Sequence, residues 1–246
     1  MIFSFSAEWL KTKKTFFRTA LYCSPILFNL LIFGYIILTN QKVSASSFYA
    51  NYFSILNFLL PFTVSFILGL MNNCEREAGN FKNIFGFDHH YYFLLSLKFI
   101  FSYLVISLVF LFNSLLTIVL LKFTFNISYT VFYSHFIYGF SLTWISFITS
   151  FIIYFFLSIM CGFITTLFIG LVSSLLTAII GLTALGNGIW LFFPFTWGGR
   201  LITMSDSNSS LIKFFYENTH LSSILLLCPI TFFFVLITVC TSLFRR

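Results

Sequence analysis

The sequence predicts an all-α, polytopic membrane protein with six transmembrane helices and both termini on the cytosolic side. Three observations carry that prediction. Of 246 residues, 59% are hydrophobic and only 8% are charged, whereas about a quarter of a soluble domain is charged. The apolar residues gather in six stretches of about 20 residues or more, the length that crosses a bilayer. None of these stretches alternates polar with apolar residues, so they read as helices and not as barrel strands. With so little polar surface, a soluble globular domain and a disordered chain are both excluded.

The leader, residues 1–18, sets Phe5, Trp9 and Phe16 against Lys11 and Lys14. That is the pattern of an interfacial amphipathic helix, or of a plain basic anchor before the first span. The first apolar stretch, 19–39, is longer than the core of a signal peptide. No small-residue cleavage site follows it, so it is expected to be retained. The second stretch is 52–71. The third, 92–121, is long enough to tilt or protrude. The fourth is 136–160, the fifth 163–185 and the sixth 221–243.

Basic residues set the direction. With the N-terminus in the cytosol, Lys11, Lys13, Lys14, Arg18, Arg76, Lys82, Lys98, Arg245 and Arg246 lie inside. Lys42, Lys122, Arg200 and Lys213 lie outside, a ratio of nine to four. An odd number of spans would carry Arg245 and Arg246 outside, so the charges favour six. The expected external loops are 40–51, 122–135 and 186–220. The internal ones are 72–91 and a tight turn at Cys161 and Gly162. The net charge of +7 is scattered between apolar stretches and forms no nucleic-acid patch.

The internal loop concentrates charge: Glu75, Arg76, Glu77, Lys82 and Asp88 all lie within it. Phe81, Ile84 and Phe85 are spaced i, i+3, i+4 and would form one apolar stripe on a helix. Gly79 and Gly86 would hold that helix to about two turns. Two readings stay open from the residues alone. A short amphipathic helix suits a groove on a soluble partner, or it lies on the membrane surface.

The fifth stretch places Gly162, Thr166, Gly170, Ser174 and Ala178 four residues apart. Small residues at that spacing make a seam for close helix packing, within the bundle or against a second subunit. Residues 186–200 are apolar but broken by Pro194 and glycines. With Trp190 and Trp197 at headgroup level they read as a re-entrant or interfacial hairpin on the external side, or as an ordinary aromatic loop. Asn29, Asn57 and Asn113 are the main polar residues inside spans and are expected to turn inward and bond to other helices, or to line a pump path. No ionisable residue sits at mid-span, which argues against proton coupling.

No catalytic or metal site is expected. The five cysteines have no metal-ligand spacing, and the adjacent His89 and His90 cannot share a helix face as a metal pair. No Gly-x-Ser-x-Gly, His-Glu-x-x-His or intramembrane carboxylate pair occurs.

Four segments carry a family resemblance. Glu75, Arg76, Gly79, Phe81 and Asn83 match an E-R-x-x-G-x-F-x-N pattern. It resembles the cytosolic loop between the second and third spans of type-2 ABC exporter permeases, most closely the lantibiotic (lanthipeptide) immunity permeases of the E and G type. The leader Ala7-Glu8-Trp9-Leu10-Lys11 is similar to that family's opening, and Trp190 to Trp197 to its stretch between spans five and six. The ending Phe244-Arg245-Arg246 also fits. The resemblance implies the type-2 exporter permease fold, a single permease domain over 1–246, and a coupling helix at 74–87. In that helix Glu75, Arg76, Glu77 and Lys82 would make charged contacts with an ATPase subunit, while Phe81, Ile84 and Phe85 fill its groove.

The chain lacks a Gly-x4-Gly-Lys-Ser/Thr phosphate loop, so ATP and Mg would be bound by a separate protein. The implied partners are two copies of a cytosolic ABC ATPase, a second permease subunit (related or identical), the lipid bilayer and a peptide cargo, with no nucleic acid. The implied setting is a bacterial plasma membrane, and the implied role is ATP-driven export of an amphipathic peptide antibiotic for self-immunity. A drug or a cell-surface lipid is the alternative cargo; a non-transporting membrane anchor or assembly protein is the alternative class.

Overall fold

Apolar side chains on every face leave the backbone to satisfy its own hydrogen bonds, and the chain does so with helices. The structure is a computed structural model. It describes residues 9–10, 12, 16–39, 45–79, 81, 91–124, 129–187, 189–204 and 228–238. Among these, every regular element is helical. Five long helices follow in order: α1 (Phe16–Thr39), α2 (Ala45–Glu77), α3 (Tyr91–Thr124), α4 (Tyr129–Met160) and α5 (Phe163–Leu176). The last runs on as one π turn, Thr177–Gly181. All five are long and apolar enough to cross a membrane, which makes the chain an all-helical, multi-pass membrane protein.

Three single 3-10 turns come next, at Ala184–Gly186, Trp190–Phe192 and Pro194–Thr196, and then the short helix α6 (Trp197–Met204). A further apolar helix, α7 (Cys228–Thr238), falls inside the sixth expected span, 221–243. The remainder of that span and the C-terminal residues lie outside the described residues.

Helices α2 and α4 form the centre. In their apolar windows 56% and 67% of residues are buried within the chain, against 22% for α1 and 33% for α3 and α5. The exposed sides of α1, α3 and α5 carry Leu31, Leu38, Leu108, Leu115, Ile164 and Phe168, as a lipid-facing surface requires. Aromatic rings fill both ends of the bundle. At one end Tyr52, Phe53, Phe136 and Phe140 pack with centroids 5.2 to 6.2 Å apart. At the other, Phe99 lies 5.2 Å from Phe155 and 4.9 Å from Phe233, which docks α7 beside α3.

Polar side chains tie α1, α2 and α3 together through a closed hydrogen-bonded ring. Asn29 Nδ2 donates to Asn113 Oδ1 at 2.7 Å, and Asn113 Nδ2 donates to Tyr52 Oη at 3.2 Å. The Tyr52 hydroxyl and Thr117 Oγ1 are 2.6 Å apart, and Thr117 donates to Asn29 Oδ1 at 2.9 Å. With Tyr52 as donor to Thr117, the four groups form a circle running in one direction, an arrangement in which each bond polarises the next. Asn57, the third asparagine, is also buried but donates to its own helix at Phe53 O, 2.9 Å away.

Candidate functional site

The charged loop begins at the end of α2. Helix α2 continues through Glu77, so Cys74 to Glu77 are its last turn and do not open a separate helix over 74–87. The chain then turns at Ala78 and Gly79, where Gly79 has φ 138°, a backbone conformation that suits glycine. Phe81 follows with φ 61° and is buried, so it is not on a helical stripe. Lys82, Ile84 and Phe85 lie outside the described residues.

Of the expected coupling residues that are described, Glu75, Arg76 and Phe81 point into the bundle. Glu75 Oε2 accepts from Lys98 Nζ on α3 at 2.5 Å. Lys98 is only 3% exposed, and its ammonium lies 5.1 Å from the centre of the Phe81 ring. Carboxylate and ring together compensate a cation removed from water. Arg76 Nη2 donates to Ile159 O at 2.7 Å and to Met160 O at 3.3 Å. Those carbonyls end α4, where the helix dipole is negative and the backbone acceptors have no partner of their own. Glu77 stays exposed and accepts from Asn73 Nδ2 at 2.7 Å. Gly79 is exposed as well.

A tight turn completes the arrangement. Only Cys161 and Gly162 join α4 to α5. Gly162 has φ 89°, and a Cβ there would stand 2.8 Å from Arg76 Nη1. The absence of a side chain therefore makes room for the guanidinium. Just inside, Asn72 donates to Ser158 Oγ, a further tie between α2 and α4.

The seam residues Gly162, Thr166, Gly170 and Ser174 are buried, and Ala178 is partly buried. The seam packs within the chain, onto α2. A Cβ on Gly170 would fall 1.7 Å from Ser65 Oγ, so α5 can come this close to α2 only with glycine there.

The segment over 186–200 is more compact than a plain loop. Trp190 and Trp197 are buried with Tyr138, Leu142, Ile180 and Leu201, so both indoles face the bundle. Trp197 Nε1 donates to Leu191 O at 3.1 Å, and Thr196 Oγ1 donates to Trp190 O at 3.1 Å. Pro194 opens the last 3-10 turn, where its missing N–H costs nothing. Phe192, at 80% exposed, is the aromatic that faces outward. Gly198 reaches far inward: a Cβ on it would lie 2.1 Å from Asn57 Oδ1 and 3.1 Å from Ser146 Oγ.

An apolar cavity of about 80 Å³ opens between α1, α2 and α3. Pro25, Phe28, Leu60, Val64 and Ile106 line it, and Asn113 marks its polar end. Among the described residues no group of three His, Cys, Asp or Glu comes together in a way that could hold a metal.

Lys98 was the residue least visible in the sequence. It sits inside the third apolar stretch, and only its distance to Glu75 reveals it as part of the site. A lysine within a span, following a loop in which carboxylates gather, is the signal that could have found it. Comparison with family models, curated proteins and solved structures finds no match for the chain.

Proposed function

We propose that the chain is the membrane-spanning permease subunit of an ATP-driven type-2 ABC exporter in a bacterial plasma membrane. In this reading it has six spans, both termini are cytosolic, and the Arg76 end of the bundle faces the cytosol. Two copies of a cytosolic ATPase bind ATP and Mg, and a second permease completes the membrane unit. The cargo is a lantibiotic or a similar amphipathic peptide, expelled for self-immunity.

One observation carries the reading. The short stretch from Glu75 to Phe81 is fastened to α3 through Lys98 and to α4 through Arg76. A push on the loop after α2 would therefore move three helices as a unit, as a pump driven from outside the membrane requires. Glu77 and Gly79 remain exposed at the tip of this lever. The apolar cavity ending at Asn113 suits the apolar part of an amphipathic cargo.

The test is co-purification of the full-length chain from its native cells, followed by cargo-stimulated ATP hydrolysis. The expected result is a nucleotide-binding protein in the complex, and Glu77→Lys is expected to weaken that association at least fivefold. Deletion of the chain should lower resistance to one amphipathic peptide. A complex without any nucleotide-binding protein refutes the pump and leaves the membrane anchor. A complex that hydrolyses ATP in response to a drug or lipid, and not to peptide, moves the cargo.

A further inference from the structure

Among the described residues three arginines are buried or half-buried, Arg18, Arg76 and Arg200; Arg76 and Arg200 each leave Nε without an acceptor, but their Nη2 groups meet very different partners. Arg76 sits on the carbonyl end of α4, the negative end of a helix dipole. Arg200 lies at the other end of the bundle, in the first turn of α6, where the dipole has the sign that repels a cation. It is 7% exposed. Nη2 donates to Asn187 Oδ1 at 2.7 Å, and Nε is buried without an acceptor. A guanidinium carries five N–H donors. Among the described residues, the Asn187 amide oxygen is the one acceptor they find, and it is neutral. A buried cation in this state is costly until an anion reaches it.

The level of Arg200 in the membrane indicates which anion. Taking Ile159, beside Arg76, as one boundary, about 20 residues of helical rise cross the hydrocarbon layer. That count along α4 reaches Gly139 and Phe140. Ile202 packs in the cluster that contains Phe140 and Phe136, so it lies at the second boundary. Arg200 precedes it by two residues and sits just inside, within reach of the headgroup layer. The abundant anion at that level is the phosphodiester of a phospholipid, and guanidinium is the side chain whose fork geometry matches phosphate oxygens.

We infer that Arg200, oriented by Asn187, anchors a phosphate-binding site that takes the headgroup phosphodiester of a membrane phospholipid. The site lies on the segment after the π turn and does not depend on the transport reading. Occupying it would pin α6 and the turns before it to one leaflet.

The experiment uses the full chain, delipidated in a maltoside detergent, with its thermal unfolding midpoint as readout. Three additives are compared: phosphatidylglycerol, a phosphate-free diglucosyl diacylglycerol with the same acyl chains, and inorganic phosphate. Phosphatidylglycerol is expected to raise the midpoint by about 5 °C more than the glycolipid does. In Arg200→Gln the two lipids should become equivalent, while Arg200→Lys keeps part of the difference. If phosphate alone gives the full shift, the anion site stands and its lipid occupant is overturned. If the two lipids act equally on the wild-type chain, the proposal is overturned, and a carboxylate of the chain such as Asp206 or Glu217 becomes the partner. The wild-type comparison decides this even where Arg200→Gln fails to fold.

Discussion

Arg76, from the last turn of α2, closes the last turn of α4 by donating from Nη2 to the carbonyl of Ile159 at 2.7 Å. A side chain from one central helix thus satisfies the backbone of the other. Arg76→Ala should cost about 2 kcal/mol, the usual loss for a hydrogen bond from a charged donor to a buried acceptor. Arg76→Lys should recover less than half, because both bonds leave from the terminal Nη2, which stands farther from the backbone than the ammonium of the shorter lysine side chain reaches. Thermal unfolding of the purified variants measures both, and an unchanged midpoint in Arg76→Ala would remove the capping role.

The Glu75–Lys98 pair makes a prediction of opposite character. Glu75→Gln leaves the Lys98 ammonium buried without its carboxylate and should destabilise the chain by about 3 kcal/mol. Replacing both residues, Glu75→Leu with Lys98→Met, should cost less than the single change, since no charge is then stranded. A double variant less stable than Glu75→Gln would contradict this. The double variant should nevertheless lose ATPase coupling in the exporter reading, because the loop is released from α3.

The ring formed by Asn29, Asn113, Tyr52 and Thr117 predicts non-additive losses. Tyr52→Phe removes the hydroxyl between Asn113 and Thr117 and should cost about 1 kcal/mol. In a double-mutant cycle, Asn29→Leu and Asn113→Leu should show a coupling of about 1 kcal/mol, because either change breaks the same circle. Strict additivity would mean that the four groups act as separate pairs.

Close packing of α5 on α2 predicts a steric effect with a matching rescue. Gly170→Ala places a methyl where Ser65 Oγ already stands and should cost about 2 kcal/mol. Ser65→Gly in the same chain should restore most of the loss. A Gly170→Leu chain with wild-type stability would show that the two helices are free to separate.

The apolar stretches at 19–39, 92–121 and 136–160 correspond closely to α1, α3 and α4, because a bilayer leaves few other ways to place 20 apolar residues. The second apolar stretch ends at residue 71, yet α2 continues to Glu77. The extra turn and a half is polar, and Asn72, Glu75 and Arg76 within it are held by tertiary partners, Ser158, Lys98 and the end of α4. The fifth helix stops short of 185 at Gly181, where a Cβ would lie 3.3 Å from Thr196 O and would crowd the returning chain.

Composition alone determined the solvent of this protein. Too few charges to face water and runs of bilayer length admit only membrane helices, and that conclusion needs no knowledge of contacts. The sequence also marked where charge gathers, at Glu75, Arg76 and Glu77. What each of those charges does was decided by the fold. Glu75 and Arg76 look alike as loop residues, but one faces a buried lysine 23 positions away and the other a helix end more than 80 positions away. Electrostatic partners act through space, and a linear sequence does not carry the distances on which they depend.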